Sequence, residues 1–283
     1  MYKFRPILKT LVWGTESWVL SGVPGSESVV AEGPEAGKSL SEVYGGEFPL
    51  LVKFINAHRD LSIQVHPNDE LALKRHHCKG KSEMWYVTKA VGRAHLYSGL
   101  AKTVSPEEYA HRVKEGTITS VLAHHRVKPG DVFFIPAGRI HSICGGCSLV
   151  EIQETSDITY RIYDYNRHGL DGKPRQLHTE LAKDAIDFTV SDDYRTHYQR
   201  RENAPVELVN CRQFTTVLYE LSKPLSCAAP GGGRWVTVTC AAGAGTVNGA
   251  ALRAGEALLL TPDEKELRLV PTGPSLKLLV SYR

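Results

Sequence analysis

The chain has 283 residues, 42% hydrophobic and 23% charged, with a formal net charge of +3. That composition describes a folded protein with one large or two smaller cores, too evenly charged for a nucleic-acid binder. No apolar run is long enough to cross a bilayer and residues 1–6 lack the features of a signal peptide, so the expected compartment is the cytoplasm, where the six cysteines stay thiols.

Leu11-Val12-Trp13-Gly14 and Trp18-Val19-Leu20 are short apolar pieces suited to strands, and residues 21–47, rich in Gly, Pro, Ser and Glu, read as loop. Within that loop Gly37-Lys38-Ser39 mimics the end of a phosphate loop, but Glu32 stands where the motif's first glycine belongs and no strand precedes it. Residues 48–55 read as a buried strand and 61–66 as the next. Asp69 to Arg75 predicts one or two helical turns capped by Asn68 or Asp69, with His76 and His77 at the end that favours cations. Residues 83–91 and 94–97 are strand-like. Ser105-Pro106-Glu107-Glu108 opens a helix that runs to about Glu115 and stops at Gly116, since Ser caps, Pro fits the first turn and an acid sits at N3. His124 and His125 fall in a polar connection.

Val127 to Asp131 is a turn, residues 132–136 a buried strand, and Ala137-Gly138-Arg139 a second turn that sets His141 at the start of another strand. Cys144-Gly145-Gly146-Cys147 reads as a tight turn, because a zinc ribbon needs a second such pair and a redox site needs a following helix. Residues 148–153 alternate through Leu149, Glu151 and Gln153 on one face, and 158–165 make another strand. About 170–205 is polar and reads as a connection between two halves. In the second half Leu252 to Pro262 echoes Val127 to Pro136 with one extra residue. His141 stands five positions after Pro136 and Leu267 five after Pro262, so a repeated barrel has lost that histidine. Short strands joined by such turns predict a mainly β fold of the jelly-roll kind.

Alternate side chains on a strand share a face, so Gln64 and His66 point one way while Ile63 and Val65 point the other. Glu83 and His141 lie on two further strands. An amide oxygen, two imidazoles and a carboxylate are donors enough for a divalent transition metal with a position left for substrate.

Four stretches in order, Leu61-Ser62-Ile63-Gln64-Val65-His66-Pro67-Asn68-Asp69, Lys81-Ser82-Glu83-Met84-Trp85-Tyr86, Pro136-Ala137-Gly138-Arg139-Ile140-His141 and Ser156-Asp157-Ile158-Thr159-Tyr160-Arg161, resemble type I mannose-6-phosphate isomerases of the short bacterial form, in the cupin superfamily. The resemblance covers residues 1–170 and extends loosely to the C-terminus. It implies two cupin-like jelly-roll barrels: a metal-binding catalytic cupin over 1–170 with a short helical insertion at about 100–125, a connection over 171–205, and a degenerate second cupin without metal ligands over 206–283. It implies one zinc ion per chain on Gln64, His66, Glu83 and His141, active-site roles for Arg161 and Lys81, and phosphate contacts from Lys53, Ser62 and Arg167, the last replacing what is often lysine.

The implied reaction interconverts mannose 6-phosphate and fructose 6-phosphate through an enediol. A bound cation suits the developing negative charge, Lys81 is suited to carry the proton, and Arg161 to stabilise the enediolate, since a guanidinium rarely gives up a proton. The residues alone leave the base unassigned. Two other readings stay open. A metal-dependent cupin of another reaction type, such as an iron dioxygenase, would also use two histidines and a carboxylate; Gln64 and the cationic set weigh against it. A non-catalytic sugar-phosphate-binding cupin would be expected to lose Lys81 or Arg161, and both are present.

Overall fold

The computed structural model describes residues 1–283, with twenty strands and four short α-helices. It divides into two compact units that do not follow the linear order expected above. One holds residues 8–17 and 53–195; the other holds 1–7, 18–52 and 196–283. Residues 18–52 are thus grouped with the C-terminal segment, and residues 171–195, expected as connection, with the first cupin. Strand pairing decides the first of these. Tyr2–Arg5 runs antiparallel to Ala257–Leu260, with Tyr2 opposite Leu259, and also to Val29–Val30, with Phe4 opposite Val30. Such non-local hydrogen bonding leaves no mark on local patterning.

Residues 53–195 contribute strands to two sheets. One has the order Val132–Ile135, Glu83–Ala90, Cys147–Glu154, Leu50–Ala57, Gly14–Ser21, Ile7–Leu11. The other has the order Tyr160–Tyr163, Ile63–Val65, His141–Ile143, His95–Leu100, Leu122–Arg126. Alternation places Trp85, Val87, Phe133, Ile135, Ile143 and Leu149 in one apolar cluster. Each large side chain of this kind contributes roughly 1.5–3 kcal/mol on full burial. Ile63 and Val65 pack instead with Tyr109, Ile118, Ile162 and Ala182 in a second cluster, where helices Pro106–Lys114 and Thr179–Ala185 lie. Gln64, between them, is left to the opposite face of its strand, as the alternation predicts.

The two helices read from capping form as expected. Asn68 caps Asp69–His76 by accepting from Leu71 N–H at 2.9 Å, and Ser105 caps Pro106–Lys114 by accepting from Glu108 N–H at 3.2 Å. Three stretches differ from expectation. The supposed loop over 21–47 contains helix Leu40–Tyr44, closed by a reciprocal Ser39–Glu42 capping box and a left-handed Gly45. Five residues are too few to show a helical period. The polar connection at His124-His125 is part of strand Leu122–Arg126, with His125 Nε2 hydrogen-bonded to Ser98 O at 3.2 Å. The 170–205 stretch includes helix Thr179–Ala185, whose Ala182 is fully buried. The Cys144–Cys147 turn forms as read, with Gly146 at φ +89°, and all six cysteines are free.

The other unit is a nine-stranded sheet that includes Pro205–Asn210, Thr215–Leu221, Glu266–Tyr282, Val236–Val247, Ala257–Leu260 and Tyr2–Arg5. Its turn at Arg253–Glu256 repeats the one at Lys128–Asp131: Glu256 accepts from Arg253 N–H at 3.1 Å and Asp131 from Lys128 N–H at 3.0 Å. Gly255 at φ +91° and Gly130 at φ +93° occupy the same left-handed position, open to glycine and strained for other residues. Leu267, five positions after Pro262, is fully buried in one cluster with Leu258, Leu260, Leu269 and Leu278. No helix of the chain is long and apolar enough to cross a membrane.

Candidate metal centre

Antiparallel register brings three of the expected residues into one row. His141 pairs with Gln64, and Gln64 with Arg161. Directly opposed side chains share a face, so Arg161, Gln64 and His141 line up across three strands, with His66 one alternation further along. On the other sheet Glu83 opposes Ile135 and Gln153. His66, Glu83 and His141 each bring one ligand atom within 4.8 Å of the others, and all three side chains are buried. His66 Nε2 lies 3.6 Å from Glu83 Oε2, and His141 Nε2 lies 3.5 Å from Glu83 Oε1.

The hydrogen bonds behind the cluster fix its chemistry. His66 Nδ1 donates to Ile158 O at 2.8 Å and His141 Nδ1 to Arg139 O at 2.7 Å, since a carbonyl can only accept. Each Nε2 therefore carries a lone pair, and each faces the same carboxylate. Burial and Lys81 push His66 well below its ordinary pKa, and burial pushes His141 down to about 4, so both rings are neutral near pH 7. His66 Nε2 and Glu83 Oε1 have no hydrogen-bond partner, an unusual cost for buried polar atoms. Neutral imidazoles around an unsatisfied carboxylate fit a divalent cation. Gln64 borders this cluster: its Nε2 is 3.3 Å from His141 Nε2 while its Oε1 accepts from Ser62 Oγ at 3.3 Å, and a half-turn of the amide would present the oxygen instead.

Behind the cluster runs a buried chain of charges. Lys81 Nζ stands 2.8 Å from Glu83 Oε2 and 3.6 Å from Glu151 Oε1, and Lys53 Nζ is 3.0 Å from the same Glu151 oxygen. Trp85 Nε1 donates to Glu151 Oε2 at 3.0 Å. Burial favours the neutral acid at Glu151, but Lys53 and Lys81 outweigh it and hold this carboxyl low. Glu83 goes the other way, raised by burial and by Glu151 against the pull of Lys81. Glu151 is the site residue that reading the sequence missed. The available signal was a glutamate on the same strand face as Leu149 and Gln153.

The remaining expected residues fall in two places. Lys53 sits in this buried chain rather than beside Arg167. Ser62 is next to Gln64 in the row, and Arg167 Nη1 donates to Asp60 O at 2.7 Å, two residues before Ser62. Arg161 is tied by its Nη1 to Gln176 O at 2.8 Å and by its backbone N–H to His178 Nδ1 at 3.1 Å.

Residues 25–88 match the family model for the phosphomannose isomerase type I catalytic domain. The chain is 38% identical over 221 residues to the probable mannose-6-phosphate isomerase GmuF of Bacillus subtilis (strain 168), covering 68% of this chain and 70% of that protein. The crystal structure of the mannose 6-phosphate isomerase from Bacillus subtilis superposes with a TM-score of 0.90 at 26% identity, covering 100% of this chain and 99% of that one. A mannose 6-phosphate isomerase structure described as holo and zinc bound shares the fold, with a TM-score of 0.74 at 15% identity over 100% of this chain and 99% of that one.

Proposed function

This chain belongs to the type I phosphomannose isomerase family, and we propose that it interconverts mannose 6-phosphate and fructose 6-phosphate through an enediol at the His66–Glu83–His141 centre. The observation that carries this reading is the meeting of two neutral imidazoles and one unsatisfied carboxylate in a buried site backed by Lys81 and Glu151. A zinc ion held by His66, Glu83 and His141, with Gln64 as fourth donor, would polarise the substrate oxygens and offset their negative charge as a Lewis acid.

The side chains around that centre divide the remaining work. Isomerisation moves one proton between C2 and C1 of the open-chain sugar, so a group must accept it and return it. Lys81 and Glu151, 3.6 Å apart, form a pair across which a proton can pass, with Glu151 ionised and so open to accept one. Lys53 keeps that carboxyl ionised. Arg161, in the row with Gln64 and His141, stays a cation and stabilises the enediolate. Ser62 and Arg167 supply donors to the substrate phosphate, whose binding energy positions the reacting carbons.

The test is a coupled assay of mannose 6-phosphate conversion to fructose 6-phosphate on the purified protein, before chelation, after it, and after zinc is restored. Activity should vanish with the metal and return with zinc. Turnover indifferent to complete metal removal would reject the reading.

A further inference from the structure

Three arginines and one aspartate meet at the edge of the Arg161–Gln64–His141 row. Asp164 is buried and grips two guanidiniums at once: Arg175 binds it bidentately, Nε to Oδ2 and Nη2 to Oδ1 at 2.6 Å each, while Arg167 Nη2 reaches Oδ1 at 2.5 Å. Arg175 lies in the stretch that the sequence presents as a connection. It arrives at Asp164 because the chain doubles back, with His168 bridging Pro174 and Gly169 N–H donating to Lys173 O at 2.7 Å, and because His178 N–H then donates to Arg161 O at 2.7 Å. Arg161 feels both neighbours: burial, Arg175 and Arg167 lower its pKa, and Asp164 opposes them.

The charge of this group is not closed. Arg161, Arg167 and Arg175 set against Asp164 and the nearby Asp60, whose carboxylate accepts from Gly145 N–H at 2.8 Å, leave one positive charge. Arg161 Nε and Arg167 Nε are buried and have no acceptor. Unpaired buried guanidinium donors in a group with an excess of positive charge call for an anion with several acceptor oxygens, which a phosphate monoester supplies. We propose that Arg175 is a phosphate-recognition residue of this site, and that Asp164 is a positioning residue holding Arg167 and Arg175 as the two prongs of the clamp. This rests on the isomerase reading above and extends it to a segment outside the four recognised motifs.

The experiment combines steady-state kinetics with calorimetric titration of the metal-loaded protein, using mannose 6-phosphate, mannose and inorganic phosphate as probes. Arg175→Gln should raise the KM for mannose 6-phosphate and the Kd for inorganic phosphate by about tenfold or more, the scale of one lost charge-assisted contact, with kcat/KM falling at least as far. Asp164→Asn should move both constants the same way, and Asp164→Glu should recover part of the loss. Metal content and unfolding midpoint serve as controls; should Asp164→Asn fail to fold, Arg175→Gln decides alone. Phosphate affinity unchanged in Arg175→Gln overturns the proposal. A parent protein that binds phosphate through Arg175 yet does not isomerise would sink the isomerase reading and leave the clamp standing. An isomerase whose Arg175→Gln variant binds phosphate normally would do the reverse.

Discussion

Replacing Glu151 by Gln removes the one carboxylate that faces two buried ammonium groups. Lys53 lies 3.0 Å and Lys81 3.6 Å from its Oε1, and all three residues are about 3% exposed. At an effective dielectric constant of about 20 each contact carries a gross attraction of roughly 5 kcal/mol, most of it spent on desolvating the charges. What the variant exposes is the cost of leaving cations buried without their partner, about 3–5 kcal/mol. Lys81 keeps Glu83 at 2.8 Å while Lys53 keeps the half-exposed Asp157 at the longer 3.9 Å, so the greater share falls on Lys53. Urea unfolding of the metal-free protein at pH 7 should show a loss in that range, and adding Lys53→Met to Glu151→Gln should recover at least half of it. The contribution has a definite pH sign. Glu151 is held below the ordinary carboxylate range, so its stabilisation is present above that range and is lost as pH falls below it. A loss under about 1 kcal/mol, or a double variant no better than the single, would refute the buried ionic chain as drawn. The same variant should also lose isomerase turnover by at least about a hundredfold while retaining bound metal, because Glu151 is not a ligand.

His141→Ala should bind zinc at least about tenfold more weakly than the parent, measured by competition with a chromogenic chelator, while Arg161→Ala leaves affinity near normal and lowers kcat. His141 is pushed from its ordinary 6.5 down to about 4 in the metal-free protein. A depressed folded pKa means full stability above the unfolded value and loss as pH falls through the folded one, here about 3 kcal/mol between pH 6.5 and 4 from this ring alone, read from urea midpoints of the chelated protein. Gly99 has φ +80°, and a Cβ there would stand 2.1 Å from the Tyr194 ring, whose hydroxyl bonds both N–H and O of Leu100. Gly99→Ala should cost about 3 kcal/mol or more by thermal unfolding, and a neutral outcome would contradict the packing of the Tyr194 segment.

Each residue expected to hold a metal falls at a position where local rules speak clearly. Gln64 and His66 alternate against Ile63 and Val65, and a two-residue alternation survives folding as a face of a strand. His141 follows a turn fixed by Gly138 at φ +90°. What joined them in space was legible only through the order of four motifs. Glu151 escaped because its meaning lies in Lys53, 98 residues away along the chain, and a glutamate on an alternating strand otherwise reads as solvent-facing. Lys53 is a single cation in the strand Leu50–Ala57; its expected phosphate contact came from the family resemblance, and its pairing with Glu151 left no local mark. Arg175 escaped for the same reason as helix Thr179–Ala185. Both lie in a polar stretch whose contacts are with strand Tyr160–Tyr163 and Asp164, and polarity alone reports exposure. The grouping of residues 18–52 with the C-terminal unit rests on ladders such as Phe4 with Val30, which local pattern does not encode.

The most direct measurement is an anomalous difference map from crystals of the protein titrated with zinc. One strong peak is expected within about 2.0–2.2 Å of His66 Nε2, His141 Nε2 and a Glu83 oxygen, with the Gln64 amide oxygen turned toward it. A map with no peak among these three side chains, or with its only peak elsewhere, would contradict the account.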